Sequence, residues 1–175
     1  KDCRYPYKEL SGCGVGFKLC QGLNTIYKIP ESELFELTDL LAISIASDIV
    51  AMTGENRVLA MQGLKFLRKT RKFGLRLLIP EEKLAHFEIS NIVFDIAPKI
   101  NAAGRISHAK ASVELMISDN LKQAQQIVEN IINLNDERRE MDINITQSAM
   151  NQALEMHKTQ RYSTIVYDPI WNKGV

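Results

Sequence analysis

Apolar residues recur every three or four positions along most of this chain, and the interruptions between these runs divide it into predicted helices. Lys1 to Leu10 reads as extended and turn-rich, with Pro6 restricting Tyr5 to extended geometry. Ser11 is placed to N-cap a helix running to about Gly22, with Val15, Phe17, Leu19 and Leu23 as core positions. Pro30 to Ser32 open a second helix, helped by Glu31 and Glu33 at its positive end, and the pattern continues through Leu34, Leu37, Leu40 and Leu41 to Val50. From Leu40 to Ile49 small residues alternate with Leu and Ile, the composition of a helix buried on most sides. Thr53-Gly54-Glu55-Asn56 is a break and restart. The next helix carries Val58, Leu59, Met61, Leu64 and Leu67 and ends in the basic run Arg68-Lys69-Thr70-Arg71-Lys72. Gly74 to Ile79 is a short apolar element stopped by Pro80, and Glu81 to Phe87 is a polar connection. Ser90 is expected to cap a short helical segment reaching Pro98, and another short helix spans Ala111 to Ile117.

The longest pattern starts at Ser118-Asp119 and meets no Gly or Pro until after Lys158. Some forty residues at 1.5 Å each would extend roughly 60 Å, more than a small domain's diameter, which suits a helix bridging two bodies. Asn135 and Arg138 interrupt its apolar stripe, so a strict coiled-coil heptad fits poorly. Tyr162 to Tyr167 is β-branched and aromatic and reads as a strand that opens a further domain.

Composition narrows the reading a little. Over 175 residues, 45% are hydrophobic and 25% charged, enough for one medium or two small globular domains. The net charge of +1 makes no overall case for nucleic acid or membrane, so any anion must be held by local clusters. Cys3, Cys13 and Cys20 lack CxxC spacing and suggest a reduced, cytoplasmic chain. His86, His108 and His157 lack zinc-site spacing, and no apolar run approaches the roughly 18 to 20 residues of a membrane span.

Few residues stand out chemically. Asp48 sits alone in an uncharged, apolar segment. It is either a core carboxylate satisfied by helix N–H groups or an Arg, or a ligand to a hard divalent cation whose other ligands come from elsewhere. Arg105 follows Asn101, two alanines and Gly104. Small residues allow close approach while Arg supplies a forked donor for phosphate, with pairing to an internal acid as the alternative. Glu55 and Arg57 suggest a structural ion pair or cap. Gly12, Gly14 and Gly16 fit neither GxGxxG nor a P-loop and read as close-packing glycines, with a phosphate-cradling loop as the alternative; the basic run reads as a solvated helix end, with a nucleic-acid patch as the alternative.

Together, Ser11-Gly12-Cys13-Gly14-Val15-Gly16-Phe17-Lys18-Leu19, Ala46-Ser47-Asp48-Ile49-Val50 with Thr53-Gly54-Glu55-Asn56-Arg57, and Pro98 to Arg105 (PKINAAGR) resemble the RecJ family of the DHH phosphoesterases. Leu134 to Arg139 (LNDERR) and Trp171-Asn172-Lys173-Gly174-Val175 fit the same pattern, so the resemblance runs through the chain in order. It implies α/β parentage with a mostly helical segment here: the C-terminal part of a DHH domain over 1–117, a connector helix over 118–158, and the first strand of a DHHA1 domain over 159–175. It also implies a two-metal Mn²⁺ or Mg²⁺ site hydrolysing single-stranded DNA from its 5′ end in recombination and repair, alongside partners such as single-strand-binding protein. Carried over by position, Asp48 is a metal-binding, catalytic Asp, and Asn101, Gly104 and Arg105 face nucleic acid.

The Asp-rich and Asp-His-His motifs of that family are expected before Lys1, and its Gly- and His-rich motif after Val175. Ala51 stands where the family often has Pro, and Asn172 where it often has His. On this reading the chain alone is inactive. Rival expectations are a DHH relative acting on short RNA or cyclic dinucleotides, and a non-catalytic RecJ-like replication scaffold.

Overall fold

The computed structural model describes residues 3–106, 109–156 and 163–175. Its order is helical throughout: α1 (Gly12–Tyr27), α2 (Glu31–Glu36), α3 (Thr38–Ser47), α4 (Gly54–Leu67), α5 (Phe73–Leu78), a 3₁₀ turn (Glu81–His86), α6 (Ile89–Asn91), a π stretch (Ile92–Ile96), α7 (Ala97–Ile106), α8 (Lys110–Ile117) and α9 (Leu121–Met156).

The N-terminal cap is as expected: the Ser11 hydroxyl accepts the Gly14 N–H at 3.1 Å, satisfying one of the orphan donors of the first turn. The helix then runs past Gly22 to Tyr27. The predicted Pro30–Val50 helix is two. It breaks at Leu37 and stops at Ser47. α3 is the centre of the fold. Leu41 and Ile45 pack with Phe17, Leu59 and Ala60, while Ala42, Ile43 and Ala46 join the larger cluster of Leu67, Leu75, Leu78, Phe87, Ile96 and Ile131. Burial on both faces explains why its sequence is apolar nearly all round.

Two glycines set the helix crossings. A Cβ on Gly63 would land on the Thr38 carbonyl oxygen and 2.7 Å from Ala42 Cβ, so α4 lies directly against α3. A Cβ on Gly74 would likewise meet the Leu115 carbonyl, which fixes α5 against α8.

Pro98 does not end a helix. α6, the π stretch and α7 form one continuous run from Ile89 to Ile106, entered through a capping box between Glu88 and Asn91 rather than through Ser90. A proline inside a helix lacks an N–H and crowds the carbonyl four residues back. The wider π turn just ahead of Pro98 takes up that misfit.

α9 starts where the Asn120 side chain accepts the Gln123 N–H at 3.1 Å. Its 36 residues extend about 54 Å. Ala124, Val128, Ile131 and Asn135 are buried in its first half, whereas Ile143, Met150 and Leu154 farther along are exposed. The expected helix end at Lys158 lies outside the described residues. So does Tyr162, and the strand expected from it is not formed over residues 163–167, where no strand among the described residues takes up its ladder hydrogen bonds. The tail instead lies beside α9. The Tyr167 N–H donates to the Gln152 side chain at 3.3 Å, and Ile170, Trp171 and Asn172 share a pocket with Met141, Asn144 and Ile145.

Candidate functional site

α3, α7 and α9 converge on a cleft of about 300 Å³ lined by Ala46, Ser47, Ile49, Val93, Ala97, Pro98, Asn101, Arg105 and Arg138. Val93, Ala97, Asn101 and Arg105 recur every four residues, so they form one stripe down the π stretch and α7. The end of α3 supplies the facing wall, and α9 closes the side with Arg138.

The structure corrects the placement of Asp48. It is not a core carboxylate: α3 ends one residue earlier, and Asp48 is an exposed C-cap whose Oδ2 accepts the Ser44 hydroxyl at 3.1 Å. Its solvation removes the need for a compensating charge in the core. Its chain neighbours Ser47 and Ile49 line the cleft, whereas Asp48 itself is not part of the lining. It lies beside the start of α1: burial pushes the Cys13 thiol up, and the charge on Asp48 adds to that rise.

The next residue is strained. Ile49 has φ of 52° and is 86% exposed. A β-branched side chain rarely adopts this left-handed conformation, and such outliers gather where a chain must hold a functional group in place. The loop behind it is pinned. Asn56 is fully buried and its Nδ2 donates to the carbonyls of Ala51 (3.0 Å) and Glu9 (2.6 Å). The Tyr7 hydroxyl donates to the Thr53 carbonyl at 2.7 Å, and the Tyr7 ring covers Gly54, whose φ is +48°. The Asn and Gly of Thr-Gly-Glu-Asn-Arg therefore hold the turn after Asp48.

Glu55 does not pair with Arg57. Its Oε2 meets Lys18 Nζ at 2.5 Å, and the Tyr5 hydroxyl donates to both of its oxygens at 2.7 and 2.9 Å. The Lys18 and Tyr5 hydrogen bonds hold the Glu55 carboxyl below its ordinary value. Burial pulls the Lys18 ammonium down, but Glu55 and Tyr5 outweigh it, so Lys18 titrates above its ordinary value. The glycine-rich start of α1 is thus a clasp between its own Lys18 and α4. It is no phosphate loop.

Asn101 and Arg105 lie in the cleft as neighbours one turn apart, and both are exposed. Arg105 Nη1 donates to the Gly174 carbonyl at 2.6 Å, and no carboxylate among the described residues pairs with it. The Trp-Asn-Lys-Gly-Val tail therefore ends against the Asn-Ala-Ala-Gly-Arg segment. Gly104 is exposed, and among the described residues a Cβ there would meet only Ala109, at an ordinary 3.8 Å, so none of them requires its small size.

One buried carboxylate escaped the sequence reading. Asp39, 2% exposed in the first turn of α3, takes Lys72 Nζ at 2.8 Å, the Thr70 hydroxyl at 2.8 Å and the Leu40 N–H at 2.7 Å. Arg68 donates twice to the Phe87 carbonyl. Part of the basic run therefore braces the fold. An acid directly ahead of an apolar helical run and a basic residue after the next helix were the only hint.

No group of three or more His, Cys, Asp or Glu that could hold a metal ion occurs among the described residues. Asp48 offers one carboxylate oxygen outward and no second acidic ligand stands with it. These residues alone do not fit a divalent-metal centre, and no hydrolytic step follows from them.

No protein-family model matches the chain. It is 36% identical over 178 residues to the single-stranded-DNA-specific exonuclease RecJ of Bacillus subtilis, a match covering 99% of the chain and 21% of that protein. It is 28% identical to the RecJ of Escherichia coli, covering 100% of the chain and 33% of the relative. A crystal structure of Thermus thermophilus RecJ in complex with Mn²⁺ superposes with a TM-score of 0.83 at 28% identity, covering 95% of this chain and 25% of that one. A structure of exonuclease RecJ bound to manganese gives 0.82 at 27% identity, covering 98% and 43%. The chain spans about a fifth to a third of the length of the curated relatives it matches. Over nearly its whole length the chain is therefore similar, in sequence and in fold, to a segment of the RecJ exonucleases.

Proposed function

We propose that this chain is part of a nuclease that hydrolyses single-stranded DNA from its 5′ end, and that its own contribution is one wall of the nucleic-acid groove. The observation that carries the reading is the cleft itself. It joins the turn at Asp48 to Asn101 and Arg105, with guanidinium groups and no carboxylate in its lining. Arginine forks suit phosphate oxygens, and a groove reading backbone rather than base edges accepts single strands of any sequence.

Asp48 would donate one oxygen to a Mn²⁺ or Mg²⁺ ion, the ions bound in the solved relatives, with the remaining ligands outside the described residues. Such ions supply the charge that activates water and steadies the phosphate. Residues 1–117 would form the C-terminal part of a DHH domain, 118–158 the connector, and 159–175 the start of a DHHA1 domain. By itself the chain would be inactive. A role in repair and recombination, a cytoplasmic location and recruitment by single-strand-binding protein belong to the same proposal. No helix among the described residues is long and apolar enough to cross a membrane. No feature of the cleft favours short RNA or cyclic dinucleotides, or a non-catalytic scaffold.

The test is the salt dependence of oligothymidylate binding, read by fluorescence anisotropy. Arg105→Ala is expected to weaken binding and to lower the slope of log K against log salt by about 0.7, one single-strand phosphate contact. An unchanged slope would make Arg105 a structural tether for the tail.

A further inference from the structure

The cleft contains a group that none of the expected contacts uses. Arg138, on α9, lines it, and its Nε is buried without a hydrogen-bond partner. One turn earlier, Asn135 is only 8% exposed and its Oδ1 is likewise unpartnered. Across the cleft, the buried Ser47 hydroxyl also lacks a partner. Two of the five orphaned buried side-chain atoms among the described residues thus belong to side chains lining this cleft, and a third belongs to Asn135, one turn from Arg138 on the same helix. Each orphan costs about 1–3 kcal/mol when nothing satisfies it, and native proteins seldom tolerate several together. Their clustering marks a missing partner.

The chemistry of the set identifies that partner. A guanidinium only donates, a hydroxyl can donate, and an Asn amide presents its NH₂ after a flip of its two indistinguishable ends. Arg105, on α7, adds a second guanidinium to the lining, and no acid is part of it. Donors and positive charge lining one small cleft fit an oxyanion with several acceptor atoms, and the forked geometry of Arg favours a phosphate.

We propose that Arg138, held by Asn135 and assisted by Ser47, binds a backbone phosphate jointly with Arg105. The long helix then grips the strand itself while also carrying the chain onward. This assignment rests on the nucleic-acid reading of the cleft, and the experiment separates the two.

Oligothymidylate binding is measured by anisotropy across a salt series, and inorganic phosphate is titrated as competitor and directly by calorimetry. Arg138→Gln is expected to weaken oligonucleotide binding about tenfold or more and to lower the salt slope by about 0.7. Combined with Arg105→Gln, the loss should fall short of the product of the two single losses, because both residues hold one phosphate. A residue that only stabilised the helix packing would shift the melting temperature and leave the slope alone. If Arg138→Gln binds with wild-type affinity and slope while Arg105→Gln weakens binding, the proposal fails and the nucleic-acid reading survives. If the wild-type chain binds phosphate through Arg138 but no oligonucleotide, the phosphate site stands and the nucleic-acid reading fails. Binding of neither overturns both. Should Arg138→Gln not fold, Asn135→Asp decides: reduced phosphate and oligonucleotide affinity at native melting temperature supports the site, and unchanged affinity overturns it.

Discussion

Gly63→Ala tests the contact on which the site's geometry depends. α4 crosses α3 at Gly63, and α3 ends at Asp48. An added Cβ would fall 2.7 Å from Ala42 Cβ, about 1 Å inside ordinary carbon–carbon contact, and would overlap the Thr38 carbonyl. That obstacle is backbone within a helix, so no rotamer change relieves it. Overpacking of this kind costs about 3 kcal/mol at the upper part of its usual range, while replacing a helical Gly by Ala returns about 1 kcal/mol. The net loss of about 2 kcal/mol corresponds to a melting temperature lower by about 4–8 °C for a chain of this size. Gly22→Ala is the control. Nothing lies within 4 Å of its Cβ position, so the same substitution there should stabilise by up to about 1 kcal/mol. Urea and thermal melts followed by circular dichroism read both. If Gly63→Ala melts at or above the wild-type temperature, the close α3–α4 crossing is wrong, and with it the positioning of Asp48 by that crossing.

Two further perturbations probe the polar braces. Asp39→Ala should destabilise by roughly 3 kcal/mol, the lower end for a broken buried pair, because Lys72 keeps partial access to water; a loss under half that in urea melts would show the pair to be dispensable. Glu55 has a lowered folded-state pKa, so its contribution is present above its ordinary value of 4.5 and is lost as pH falls through the folded value. The acid limb of melting temperature against pH, between about pH 5 and pH 2, should therefore flatten in Glu55→Gln, and an identical limb would remove the Lys18–Tyr5 clasp from the account.

Much of the fold was legible because α3 and the first half of α9 bury nearly continuous apolar faces, and the Ser11 cap and the Thr53 restart are local signals. What was not legible has local physical causes. Periodicity cannot fix a helix end to one residue, and a single residue separates a buried Asp48 from the exposed C-cap observed. Pro98 looked like a stop because a π turn, which absorbs its misfit, has no sequence signature of its own. Asp39 was hidden because the apolar pattern runs on from Pro30 to Val50 as one helix, and only the break at Leu37 puts Asp39 in a first turn. Asn135 and Arg138 looked like faults in an apolar stripe, and only the fold shows that the stripe breaks where α9 meets the cleft. Asn101 and Arg105 needed no structure to be singled out, but it took the structure to show Arg105 meeting a backbone carbonyl.

The most direct test exchanges this chain for the matching segment of Bacillus subtilis RecJ and measures Mn²⁺-dependent release of nucleotides from 5′-labelled single-stranded DNA, with and without Asp48→Asn. The account predicts that the chimera degrades the strand and that the Asp48→Asn chimera folds, binds the strand and releases nothing above background. An Asp48→Asn chimera as active as its parent would contradict it.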